Sequence, residues 1–144
     1  MSEGLSIRCK NDLIEIERLT QEVGLWCHKQ ALSEDVEFQI DLVLDELVSN
    51  VIRHGLKADG EHFIDVNLHR DGHDLTMEVE DDGVAFNPLD APIPDITLPI
   101  EERRIGGLGI HLVRQFMDSL AYERRGERNY LLMKKRLGEE HQQV

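Results

Sequence analysis

The chain has 144 residues, 40% of them hydrophobic and 31% charged, with a formal net charge of -13. That length and composition suit one globular domain whose core needs neither disulfides nor a structural metal. The negative balance argues against direct nucleic-acid binding, which requires a basic surface to neutralise phosphates, and no apolar run approaches the ~20 residues of a membrane span.

In chain order, Leu5, Ile7 and Cys9 alternate with polar residues, as a short first strand does. The N-terminus carries no long apolar stretch of the secretory kind, so a cytoplasmic location is expected. Asp12 and Glu15 have the spacing of a capping box. Apolar residues then recur at Ile16, Leu19, Val23 and Trp26, which predicts an amphipathic helix over 12–30. Ser33 is placed to cap a second helix, whose first turn holds Glu34 and Asp35, where the helix dipole favours negative charge. Its apolar stripe is Ile40, Leu44, Leu47 and Val51, and Gly55 is its expected end. Cys9 and Cys27 form no CxxC pair and read as reduced, partly buried thiols.

Ile64, Val66 and Leu68 alternate with polar residues, as do Leu75, Met77 and Val79; Asp71-Gly72 between them signals a hairpin. One apolar face per strand predicts a sheet covered by helices on one side only. His69 and His73 flank this turn without the clustering of a zinc site. All four prolines fall within residues 84–106, an irregular stretch of the length found in lids and binding loops. Gly106, Gly107 and Gly109 follow, then a helical pattern at Ile110, Val113 and Phe116/Met117, then strands near 119–125 and 129–136 around Gly126. A polar, frayed tail runs from Gly138. The expected fold is α+β: a two-layer α/β sandwich, three helices on a mixed, mostly antiparallel sheet, in one domain spanning 1–144 with its core in 5–136.

Three groups of residues bear on chemistry. Glu46, Asn50 and His54, four apart, lie on neighbouring turns beside the apolar stripe. They are either a solvated polar face or a row facing a ligand, with an amide oxygen suited to Mg²⁺ and a carboxylate able to take a proton. Asp81-Asp82-Gly83 closes an apolar strand: either an ordinary strand-ending turn, or a carboxylate for an amino group such as adenine's beside a glycine that permits close approach. Gly106-Gly107-Leu108-Gly109 is either a hinge or a helix start whose backbone N–H groups receive an anion. It is neither a Walker A loop nor a GxGxxG after a strand.

Taken in order, Glu46-x-x-x-Asn50-x-x-x-His54, Asp81-x-Gly83-x-Ala85-Phe86-Asn87-Pro88 and Gly106-Gly107-Leu108-Gly109-Ile110 resemble the N, G1 and G2 boxes of the GHKL ATPases, which share the Bergerat ATP-binding fold. The short length, the Phe-Asn-Pro and Met117-Asp118 are similar to the stand-alone branch, the bacterial anti-sigma-factor serine kinases. The resemblance implies Mg-ATP (or ADP) as cofactor, with Asn50 on the metal and Glu46 as catalytic base or orienting carboxylate. Asp81 and Gly83 would meet adenine, Ala85 standing where many relatives have a second glycine. Gly107, Leu108, Gly109 and Ile110 would meet the phosphates, with His54 in support. Residues 84–106 would be the ATP lid, with Arg103 and Arg104 as phosphate contacts.

The activity so implied is phosphoryl transfer to a protein antagonist of an anti-sigma factor, with a sigma factor as second partner. A homodimer is also implied, with Leu5–Cys9 as a candidate edge. Three rivals stand beside it: an ATP/ADP-sensing binding switch without catalysis, a detached ATPase domain of histidine-kinase type, and a plain interaction domain. The acidic surface suits a basic protein partner or serves solubility alone.

Overall fold

A computed structural model describes residues 3–55, 62–90 and 107–138 of the chain. They form β1 (Glu3–Lys10), α1 (Glu15–Lys29), α2 (Glu34–Asn50), β2 (Phe63–Asp71), β3 (Asp74–Asp81), α3 (Gly107–Phe116), β4 (Ser119–Arg125) and β5 (Arg128–Arg136). The sheet order is β1-β2-β3-β5-β4. The expected sheet was mixed and mostly antiparallel; among the described residues all four pairings are antiparallel, so no strand pair is parallel and the sheet is not mixed. The three helices cover one face, giving the expected α+β sandwich.

The apolar stripes set this packing. Leu19, Val23 and Trp26 of α1 and Ile40, Leu44 and Leu47 of α2 are buried against Ile7, Cys9, Val66, Leu68, Met77 and Met133 of the sheet. Both cysteines are buried and free, and burial pushes their thiols up to about 11 at Cys9 and about 12 at Cys27, so neither is a ready nucleophile. The other face of the sheet carries ion pairs, Arg8–Asp65 at 2.7 Å and Arg128–Asp65 at 3.0 Å, as a solvated face should. Among the described residues no helix is long and apolar enough to cross a membrane.

Two local expectations are corrected. The first helix starts at Glu15, not at residue 12. Asp12 Oδ1 instead accepts the Ile14 N–H at 3.1 Å, closing a side-chain turn, and Glu15 Oε1 accepts from the Lys10 N–H at 3.0 Å, so no capping box forms. The β2–β3 hairpin turns on Gly72-His73, with Asp71 already paired to Asp74. Gly72 has φ +63° and His73 no positive φ, the pattern of a turn with glycine in its first central position. At the second helix the expectation holds: Ser33 Oγ accepts the Val36 N–H at 3.2 Å.

Asp41 of α2 carries a stability cost. Burial, reinforced by Glu37 and Asp45, pushes its carboxyl up from 3.8 to about 6. The folded chain therefore holds this proton better than the unfolded chain, and stability is lost as pH rises from about 4 through 6. Asp41→Asn is expected to stabilise by about 1 kcal/mol at neutral pH, solvent screening of this half-buried group removing the rest of the shift's nominal worth. The gain should vanish below the ordinary carboxylate range. Urea unfolding at neutral and acid pH measures it, and an equal gain at both would refute the titration as its cause.

Candidate functional site

The strand alternation that buries Leu75, Met77 and Val79 also turns Asp81 toward the helices, because all four share one face of β3. Asp81 is accordingly 5% exposed, the one buried charged residue among those described. On α2, Leu47 and Asn50 lie three apart and so on one side of the helix. Directly after Asn50 the backbone widens into a π-helical turn, Val51–Gly55, a distortion that recurs at functional sites. Between these elements lies a narrow cleft of about 40 Å³, below the ~300–1,000 Å³ usual for small-molecule sites.

Asn50 and Asp81 both line this cleft. Its walls are apolar: Leu47 and Val51 from α2 and its extension, Val79 from β3, Leu131 from β5, and Phe86 and Pro88 from the segment after β3. Two donors fix Asp81: the Gly83 N–H at 2.8 Å and Asn129 Nδ2 at 3.0 Å, both on Oδ1. Burial nonetheless holds its carboxyl above the ordinary value, because the hydrogen bonds from Asn129 and Gly83 only partly offset desolvation.

Asn129 is the residue that sequence reasoning missed. It sits directly opposite Asp81 in the β3–β5 register, on the same inward face. Besides Asp81, its Nδ2 donates to the Val84 carbonyl at 2.8 Å. Its Oδ1 accepts from the Phe86 N–H at 3.2 Å, Tyr122 OH at 2.5 Å and Arg124 Nη1 at 3.1 Å. Arg124 also donates to the Gly83 carbonyl at 2.9 Å. One carboxamide thus ties the buried carboxylate to the strap that leaves β3. The available signal was an asparagine at the head of a strand pattern, a residue type depleted in strands. Asn129→Ala is expected to cost about 2–3 kcal/mol, since it strips several buried groups of their partner at once. Urea unfolding midpoints measure it, and a loss under about 0.5 kcal/mol would show that the network re-forms without it.

The other expected residues are placed as follows. Glu46 is half-buried one turn before Asn50 and is not among the residues lining the cleft. Gly83 is buried beside Asp81, and Ala85 is exposed on the strap. His54 lies in the widened turn, its side chain outside the described residues. Gly107, Leu108 and Gly109 open α3, as expected, so their N–H groups are among those left without intrahelical acceptors. Ile110, 4% exposed, packs in the core. Met117 and Asp118 turn α3 into β4: the Asp118 N–H donates to the Lys134 carbonyl at 2.9 Å. Arg103, Arg104 and residues 91–106 of the expected lid lie outside the described residues.

The donor set fits the ligand the sequence implied. Apolar walls with one buried carboxylate suit a flat heterocycle bearing an amino group. The Asn50 carboxamide at the same cleft suits a hard cation that keeps its waters and phosphate oxygens, since the Asn129 carboxamide is taken up by Asp81, Val84 and Phe86.

A profile of the histidine kinase-like ATPase domain matches residues 9–135. The serine/threonine-protein kinase BtrW of Bordetella bronchiseptica is 28% identical over 101 residues, 70% of this chain and 71% of the relative. The serine-protein kinase RsbW of Bacillus cereus strain AH187 is 31% identical over 121 residues, 81% of this chain and 73% of the relative. Among solved structures, the RsbU and RsbW domains of Rv1364c from Mycobacterium tuberculosis match with a TM-score of 0.66 at 13% identity. That match covers 94% of this chain but 32% of the other, so this chain spans about a third of that structure's length. The blue-light activated histidine kinase of Erythrobacter litoralis EL346 matches with a TM-score of 0.57 at 17% identity, over 86% of this chain and 41% of that one. At such identities the two structures speak for the fold.

Proposed function

Since the chain belongs to the histidine kinase-like ATPase domain family, among its anti-sigma-factor serine kinases, we propose that it binds Mg-ATP in the cleft and transfers a phosphoryl group to a serine or threonine of a protein antagonist. The observation that carries this reading is that Asn50 and Asp81, from stretches about thirty residues apart, line the same cleft. In this reading Asp81 accepts from the adenine amino group through the oxygen that Gly83 and Asn129 leave unoccupied. Val79, Leu131 and Leu47 enclose the base, and Gly83 lets it lie close to the chain. Asn50 offers its amide oxygen to Mg²⁺, which neutralises phosphate charge when bound. The N–H groups opening α3 at Gly107, Leu108 and Gly109 face the phosphates, with Arg104 in support. Glu46, one turn from Asn50, orients the incoming hydroxyl. Phosphoryl transfer depends mainly on such positioning and charge neutralisation.

The names of the relatives, serine/threonine-protein kinase and serine-protein kinase, support a protein hydroxyl as phosphate acceptor. An anti-sigma-factor antagonist as that acceptor, a sigma factor as second partner, a homodimer and a cytoplasmic location complete the proposal on the resemblance of the sequence motifs alone. Incubating the chain with labelled ATP, Mg²⁺ and a candidate antagonist tests the reading: label on the antagonist is expected. A melting temperature unmoved by Mg-ATP would remove nucleotide binding itself, because a ligand that binds only the native state must raise it. A nucleotide-set switch without catalysis is the second reading. It is favoured by Asn129, which joins Asp81 to Val84 and Phe86 of the strap, and nucleotide-dependent partner binding without label transfer would select it.

A further inference from the structure

Away from the cleft, the outer surface of α1 and α2 holds a shallow groove lined by Thr20, Phe38, Asp41, Leu42 and Asp45. The four residues from α2 recur at i, i+3, i+4 and i+7, so they form one stripe, turned away from the buried stripe of Ile40, Leu44 and Leu47. Phe38 is 63% exposed. A lone exposed apolar side chain means little, but this one stands beside Asp41 and Asp45, for which no ion-pair partner is found among the described residues.

The helix Glu34–Asn50 carries Glu34, Asp35, Glu37, Asp41, Asp45 and Glu46, and no Lys or Arg. Among the described residues the one ion-pair contact to any of them is His28, 3.7 Å from Glu37. Asp41 Oδ1 is moreover buried without a hydrogen-bond partner. Folded proteins rarely leave such an acceptor unmet, and nothing on α1 or α2 supplies the donor.

We propose that this groove docks a cationic amphipathic helix of a partner protein, whose apolar face covers Phe38 and Leu42 while its Lys or Arg side chains pair with Asp41 and Asp45. Charge complementarity selects this occupant: a second copy of so acidic a chain would set like charges against each other. Helix-in-groove recognition uses the same spacing of apolar anchors that the stripe presents. The groove shares no lining residue with the cleft: it runs from Phe38, about 18 Å along the helix axis before Asn50, to Asp45, on another side of the helix from Leu47 and Asn50. Docking there therefore needs no contact with nucleotide.

The test titrates the isotope-labelled full chain with a synthetic helix bearing leucines on one face and lysines on the other. A scrambled peptide of the same composition and a glutamate-for-lysine version are the controls. Backbone resonance changes are expected around Thr20 of α1 and from Phe38 to Asp45 of α2, with those of Tyr122 and Asn129 unmoved. Phe38→Ser, and separately Asp41→Asn combined with Asp45→Asn, should each weaken binding about tenfold. Equal binding of either control peptide, changes spread over the whole acidic surface, or unaffected variants would overturn the proposal. So would a wild-type dimer that Phe38→Ser converts to monomer, because the groove would then be filled by a second copy.

Discussion

Asp81→Asn is expected to lower ATP affinity about 10- to 100-fold, the ~1.5–3 kcal/mol of a hydrogen bond to a charged group. The geometry fixes which way the new amide would face. The Gly83 N–H and Asn129 Nδ2 both donate to Oδ1, so the oxygen of an asparagine must take that position. Its NH₂ then occupies the place of Oδ2 and meets the adenine amino group donor to donor. A base with a carbonyl in place of that amino group escapes the conflict, so preference for ATP over GTP should narrow in the same variant. Calorimetry with both nucleotides measures this. Unchanged ATP affinity would mean that the adenine amino group does not meet this carboxylate.

Glu46→Gln is expected to lower phosphoryl transfer about 10²- to 10⁴-fold, the usual worth of a positioned acid–base group. ATP affinity should stay within about threefold, because Glu46 does not line the cleft that encloses the base. Glutamine keeps the length and hydrogen-bonding reach of the side chain and removes only the charge and the proton-accepting power. Label incorporation into the antagonist, measured beside nucleotide affinity, separates the two effects. Equal incorporation by variant and wild type would take Glu46 out of the reaction, and a parallel loss of affinity would reassign it to binding.

The helices and strands were legible because burial imposes a period. A helix that buries one side must repeat near 3.6 residues, and a strand that buries one face must repeat at two. The same rule made the placement of Asp81 readable: it continues the series Leu75, Met77, Val79 and so faces inward. The start of α1 was less legible, because the carboxylates of Asp12 and Glu15 had several backbone N–H groups within reach and bonded to Ile14 and Lys10.

The amino-acid sequence by itself determined which faces are apolar, where the chain turns, and that Asn50, Asp81 and a glycine-led helix carry the marks of a nucleotide site. Only the tertiary structure decided what stands across from them. β5 pairs with β3 rather than lying at the edge of the sheet, and this brings Asn129 opposite Asp81, with Tyr122 and Leu131 at the same cleft. Side-chain periodicity says which face of a strand is buried but not which strand lies beside it. That choice belongs to long-range packing, which no local pattern encodes.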